Sequence, residues 1–253
     1  MADAKRIPAK VATARALWES GASATGTPGH AALADRLTWP PPGPDFPPLP
    51  PTVRWLARDG DAADVAARAW PAMPEDAAGL LLFAYRRADK DSALFAVGAR
   101  AIFDRGAPGK RALMRTIGPK PIALFLAARP SGEFRELRLC TNPAAALASG
   151  LLHPGAVVVA TASPANLADD ASRLAASRKT SRLVVEPGGG RKSRNIARKI
   201  REALPHVPIQ WRQGGKDAAD DLAIQVRAWR PKPAEWSDDD LCSAWREFLE
   251  TRG

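Results

Sequence analysis

Residues 182–201 read RLVVEPGGGRKSRNIARKIR, and this stretch decides the fold. The apolar run Leu183, Val184 and Val185 predicts a short buried strand that ends in one carboxylate, Glu186. Gly188, Gly189 and Gly190 then turn the chain into a helical pattern. Strand, acid, glycine turn and helix, in that order, is how parallel α/β sheets build sites at the carboxyl ends of their strands. On a helix from 191 to 204, Ile196, Ile200 and Leu204 share one side. Arg191, Arg194, Arg198 and Arg201 share the other, with Lys192 and Lys199 at its edge. The apolar stripe is expected to pack on the sheet and the basic face to meet solvent.

A basic helix face is often no more than a solvated surface. This one is almost wholly cationic, with no Glu–Lys ladder at i,i+4 to neutralise it. Its N-terminus also follows three glycines, where free N–H groups and the helix dipole favour a phosphate. The ligand so indicated is an anion, and nucleic acid above all. GGGRKS lacks the GxxxxGK[ST] spacing of a P-loop, which argues against nucleotide hydrolysis.

On either side of this stretch, strands are expected at Phe134–Cys140, Ala156–Ala160 and Val207–Trp211, with helices at 143–151, 164–177 and 216–229. That alternation implies βαβ units, and so an α/β domain over 131–230 with a parallel sheet flanked by helices. Residues 1–130 read as a smaller α+β module. A helix is expected at 8–20, and a second begins at Gly26-Thr27-Pro28, with threonine as cap and proline in the first turn. Residues 40–51, PPPGPDFPPLPP in sequence with Pro40, form a stiff connector. Strands follow at Thr52–Ala57, Gly79–Arg86, Ala93–Val97 and Ile122–Ala128. Residues 231–253 form a helical tail capped by Ser237, with Asp238 to Asp240 in its first turn.

The bulk numbers agree with a globular, anion-seeking protein. The 253 residues suffice for one large or two modest domains, and 37 Lys and Arg against 27 Asp and Glu leave a net charge of +10. Cys140 and Cys242 stand alone, in no CxxC, which excludes a zinc ribbon, a disulfide framework and an iron–sulfur site. His30, His153 and His206 have no partner at motif spacing. The opening residues MADAKRIPAK lack an apolar core, and no stretch is long and apolar enough to span a bilayer, so a cytoplasmic protein without membrane contact is expected.

The acids add a second theme. Glu186 ends one strand, and Asp217, Asp220 and Asp221 follow the next. Neighbouring strand ends lie side by side in a parallel sheet, and carboxylates with water and a phosphate oxygen make a Mg²⁺ ligand set. The alternative for Asp217 is a helix cap.

These residues carry a family resemblance. Residues 134–228 resemble a Toprim domain, and the chain from about 11 to 228 resembles the primase-like Toprim proteins of plasmids, phages and integrated elements. A segment similar to that group's GTPxxxYLxxR is seen in Gly26-Thr27-Pro28, Leu33 and Arg36; Val53-Arg54-Trp55 and Lys110 to Gly118 follow in the same order. The strand–helix pair at Val157–Ala160 and Ser163–Leu167 matches the family's scaffold.

The departures fall on the chemistry. Where the family has strand, Glu, Gly and a helix with Ala-Leu, this chain has Leu139-Cys140-Thr141-Asn142 and Ala146-Leu147. Where it has Asp-x-Asp, this chain has Glu186-Pro187-Gly188, while Asp217-Ala218-Ala219-Asp220 keeps the later acidic pair. In this fold the glutamate moves a proton and the acids hold Mg²⁺. Thr141 cannot move that proton at neutral pH and Gly188 cannot hold a metal.

The resemblance thus implies a nucleic-acid-binding protein of DNA replication with a degenerate centre and no required cofactor. Phosphates, of DNA rather than RNA, would be met by Arg191, Lys192, Arg194, Arg198 and Lys199, aided by Lys110, Arg111 and Arg115. Two alternatives stand. One is an active primase or nuclease with Mg²⁺ on Glu186, Asp217 and Asp220. The other is an interaction partner of a replicative helicase, using the Pro-rich connector and Trp245, Phe248 and Leu249 of the tail. Trp211 and Trp229 are candidates for stacking on bases or for filling the core.

Overall fold

A computed structural model describes residues 2–37, 48–87, 93–103, 113–120, 123–128, 136–177, 182–187 and 190–209. The first helix, α1 (Ala2–Glu19), buries Ala14 and Leu17 completely and leads through a two-residue strand, β1 (Ala22–Ser23), to the expected helix start. There Gly26 takes φ +78°, a left-handed conformation that suits glycine. The Thr27 hydroxyl accepts from the His30 N–H at 3.3 Å, capping α2 (Pro28–Leu37).

Next come β2 (Val53–Ala57), α3 (Gly60–Ala69), β3 (Ala77–Arg87), β4 (Leu94–Phe103), β5 (Met114–Ile117) and β6 (Ala123–Ala128). β3 is the spine of this half. One of its edges pairs β4 along its length; the other is shared end to end by β2 and β6. All of these pairings are antiparallel, and Leu80 to Tyr85 are buried on both faces, hence the unbroken apolar run.

The second half runs β7 (Glu136–Cys140), α4 (Pro143–Leu152), β8 (Val157–Thr161), a 3₁₀ turn (Pro164–Asn166), α5 (Leu167–Ser177), β9 (Arg182–Glu186) and α6 (Gly190–Ala203). Here β7 lies between β8 and β9, parallel to both, with Cys140 opposite Ala160 and Glu186. A further parallel bridge joins Val185 to Ile209, within the strand expected from Val207; residues 210 and 211 of that expectation lie outside the described residues. Residues 210–253, with Asp217, Asp220, Asp221, Trp211, Trp229 and the tail helix, lie outside the described residues.

β6 pairs antiparallel with β8, so both halves share one nine-stranded sheet, ordered β1-β2-β3-β6-β8-β7-β9 with β4 and β5 beyond β3. The fold is α/β with a mixed sheet flanked by helices.

Alternation along the strands sorts the core into two faces. Leu81, Phe83, Tyr85, Phe125, Val158 and Cys140 pack with α2 and α4. On the opposite face, Leu80, Leu82 and Val97 pack with α1 and α3, while Leu137, Leu139, Val159 and Val185 pack with α5 and α6. Phe83 and Tyr85 both meet Phe125 edge-to-face, with ring centroids 5.6 and 6.2 Å apart. No helix among the described residues is long and apolar enough to cross a membrane.

Candidate nucleic-acid interface

α6 forms as its pattern predicts. Ile200 is fully buried against the sheet, with Ile196 and Leu204 packed beside it. Arg194, Arg198, Lys199 and Arg201 are exposed on the other side. Arg191 and Lys192 occupy its first turn, their side chains outside the described set, as are Gly188, Lys110 and Arg111 altogether. One i,i+4 pair lies on this helix: Arg198 and Glu202 approach to 4.0 Å. Both side chains are about two-thirds exposed, so the pair is weak and the face stays cationic.

Of the carboxylates expected to converge, only Glu186 falls among the described residues. It ends β9 on the α4 side, 5% exposed. Its Oε1 accepts from Arg138 Nη1 at 2.5 Å and from Ser149 Oγ of α4 at 3.0 Å. Arg138 Nε donates in turn to Glu136 Oε1, and Arg182 Nε reaches Glu136 Oε2 at 3.4 Å. A chain of alternating charges thus ties β7, β9 and α4 together. Two charges taken out of water need such mutual satisfaction to be tolerated at all. An acid committed in this way is a poor metal ligand. Thr141 stands at the adjacent strand end, and no cluster of three His, Cys, Asp or Glu exists among the described residues.

Asn142 serves the start of the next helix. Its Oδ1 accepts from the Ala145 N–H at 2.9 Å, capping α4 ahead of Pro143. Its Nδ2 faces the Thr141 hydroxyl at 3.4 Å. One strand over, the Thr161 hydroxyl donates to Asp170 of α5 at 2.5 Å, so this buried acid is held by its neighbour.

These strand ends face β5 across a cavity of about 340 Å³. Thr141, Asn142 and Pro143 line it from β7 and α4, and Thr161 to Pro164 from β8. Tyr85, Met114, Arg115, Thr116 and Lys120 line it from the antiparallel half. The Thr116 hydroxyl donates to the Ala162 carbonyl at 2.9 Å, closing the two halves on each other. Gly118, at φ +108°, makes the turn that carries Lys120 to the rim; a side chain there would meet the Ala96 backbone at 2.8 Å. Of the expected cations outside α6, only Arg115 falls among the described residues, and it borders this cavity.

Sequence reasoning missed Tyr85, Lys120, Arg138, Ser149 and Asp170. Arg138 left a signal, since a cation in the middle of the apolar strand ELRLC requires an acid nearby. The others left none. Elsewhere, burial, with the charge of Arg36 close by, holds the Arg100 guanidinium below its usual value.

The chain matches no family model and no curated protein. Among solved structures it is similar to the primase fragment of the bacteriophage T7 primase-helicase protein, at 14% identity and a TM-score of 0.45, over 60% of this chain and 63% of that one. A chain in the structure of the bacteriophage T7 lagging-strand DNA polymerase with primase domains bound to an RNA/DNA hybrid and dTTP shares 12% identity, with a TM-score of 0.46. That likeness covers 77% of this chain and 92% of the other. The DnaG catalytic core is similar at 15% identity and a TM-score of 0.43, over 87% and 68%. The chain therefore spans under two-thirds of the T7 primase fragment, and likenesses this distant assign no function.

Proposed function

We infer that this chain is a primase-like, nucleic-acid-binding protein of DNA replication or mobile-element maintenance, and that it binds the phosphate backbone without a metal. The observation that carries the reading is α6: a solvent-facing row of Arg194, Arg198, Lys199 and Arg201 whose N-terminus lies beside the carboxyl ends of parallel strands. Arg115 of β5 is a further exposed cation. Such contacts fix position on a strand and carry no sequence preference. The Glu186–Arg138 pair supports the metal-free part of the reading, because it spends on a guanidinium the acid that a cation would need. A replicative helicase is the protein partner this reading favours, and DNA the favoured nucleic acid.

The test is fluorescence anisotropy with labelled single-stranded and duplex DNA, comparing wild type with Arg194→Glu/Arg198→Glu. Both substituted side chains are exposed, so the fold is expected to survive. The double variant should lose binding at moderate salt, by about a hundredfold or more, while its circular dichroism is unchanged. Equal affinity in the two proteins would remove α6 as the interface.

A further inference from the structure

We propose that the cationic face of α6 has an occupant within the chain itself: the acidic segment 235–240, EWSDDD, docks on Arg194, Arg198, Lys199 and Arg201 and competes there with nucleic acid. The docking stands on charge and reach alone; that it restrains DNA binding rests on the nucleic-acid reading above.

Three observations converge. The first is the state of α6, whose four cations are all exposed. The side chains of Arg194, Lys199 and Arg201 make no hydrogen bond or ion pair to any described residue, and Arg198 has only its 4.0 Å approach to Glu202. With about 100° between successive residues, Arg194, Arg198 and Arg201 form one row along the helix, and Lys199 stands across from it on the same solvent side. Like charges held this close repel one another and favour any dense anion within reach.

The second observation is in the sequence. Asp238-Asp239-Asp240 is the only run of three acids in the chain, and with Glu235 it puts four carboxylates and no base into residues 234–240. Closely spaced carboxylates offer a guanidinium row the same oxygen anions that a phosphate backbone does. The third observation is reach. Ile209 bridges to Val185 of β9, and both pack in the cluster that holds Ile196 and Ile200 of α6, so the chain leaves the sheet beside this helix. α6 has 14 residues and a length of about 21 Å. The 25 residues between Ile209 and Glu235 cover about 80 Å when extended, and about 55 Å with a helix at 216–229. Tethered in this way, the acids act at an effective concentration of about millimolar. Exposed ion pairs are weak singly, so the contact forms and parts; it lowers DNA affinity without abolishing it.

The test has two arms. In the free protein, carbodiimide joins a lysine ammonium to a carboxylate that it touches. At low salt it should link Lys199 to one of Asp238, Asp239 and Asp240 within a single chain, read by peptide mass spectrometry on the monomer. Excess DNA should remove the link, as should about 0.5 M salt, where screening acts within a few Å. In the second arm, Asp238→Asn/Asp239→Asn/Asp240→Asn should bind labelled single-stranded DNA about three- to tenfold more tightly than wild type at low salt, the gap closing as salt rises. Asp59→Asn/Asp61→Asn/Asp64→Asn changes the net charge equally, from exposed positions at α3, which packs against β2 toward the other end of the sheet. It should gain less than about twofold. Equal gains in the two triple variants overturn the proposal, since net charge alone would then account for them. Absence of the Lys199 link at low salt overturns it too, whatever the DNA affinity. A link in a protein that binds no DNA in any of these forms would keep the docking and remove the nucleic-acid function.

Discussion

Replacing Glu186 by glutamine separates an acid that holds the fold from an acid that holds a metal. The side chain is 4% exposed, as is that of Arg138, so the substitution strips a charge partner from a guanidinium that water cannot reach. Breaking a buried pair costs about 3–5 kcal/mol; Glu136 remains against Arg138, so the lower end, about 3 kcal/mol, is expected here. In a chain of this length that corresponds to a fall in Tm of about 6–12 °C. Thermal unfolding followed by circular dichroism, backed by urea titration, measures it. A second variant, Glu186→Leu with Arg138→Met, removes both charges and should recover most of the loss, because apolar isosteres replace buried pairs at little cost. If Glu186→Gln melts within a degree of wild type, the ion pair is not what the geometry says. If, in addition, Mg²⁺ stabilises wild type and not the variant, Glu186 is a metal ligand.

Other predictions follow from single features. The Tyr85 phenol is pushed far above its ordinary value near 10 by burial, so the folded state keeps its proton where the unfolded state loses it. Stability contributed by the neutral phenol is complete below pH 10 and is lost as pH rises above it. Tyrosinate absorbance should therefore appear together with alkaline unfolding, and an earlier ionisation in folded protein would refute the burial. Gly118→Ala should destabilise by about 1–3 kcal/mol from its left-handed backbone and its approach to Ala96; a wild-type urea midpoint would count against it. Phe125→Ala should cost about 3–5 kcal/mol, since its ring is fully buried between Phe83 and Tyr85. A loss under 1 kcal/mol in the same titration would mean that the core closes over the gap.

Legibility in the sequence followed periodicity. β9 and α6 were readable because Leu183 to Val185 and the Ile196–Ile200 stripe each hold to one period, and α2 because Gly26-Thr27-Pro28 carries its own stop and start chemistry. α3 was not, because its buried positions are Ala66 and Ala69, too small to mark a face. β5 was not, because it has four residues and buries only Ile117. The site divided in the same way. Exposed cations of α6 advertise themselves, whereas the Glu186–Arg138 pair depends on which side of neighbouring strands two residues point, and the cavity joins segments from 85 to 164. A sequence places residues along one line; this pocket exists only once β5 closes on β8.

The central claim is metal-free binding to the phosphate backbone, and one measurement meets it most directly: DNA affinity by anisotropy across a salt series, with Mg²⁺ and with a chelator. The account predicts one steep linear loss of affinity with rising salt, the same in both series once ionic strength is matched. Binding that vanishes on chelation, or a probe that is cleaved or extended when Mg²⁺ is present, would contradict it.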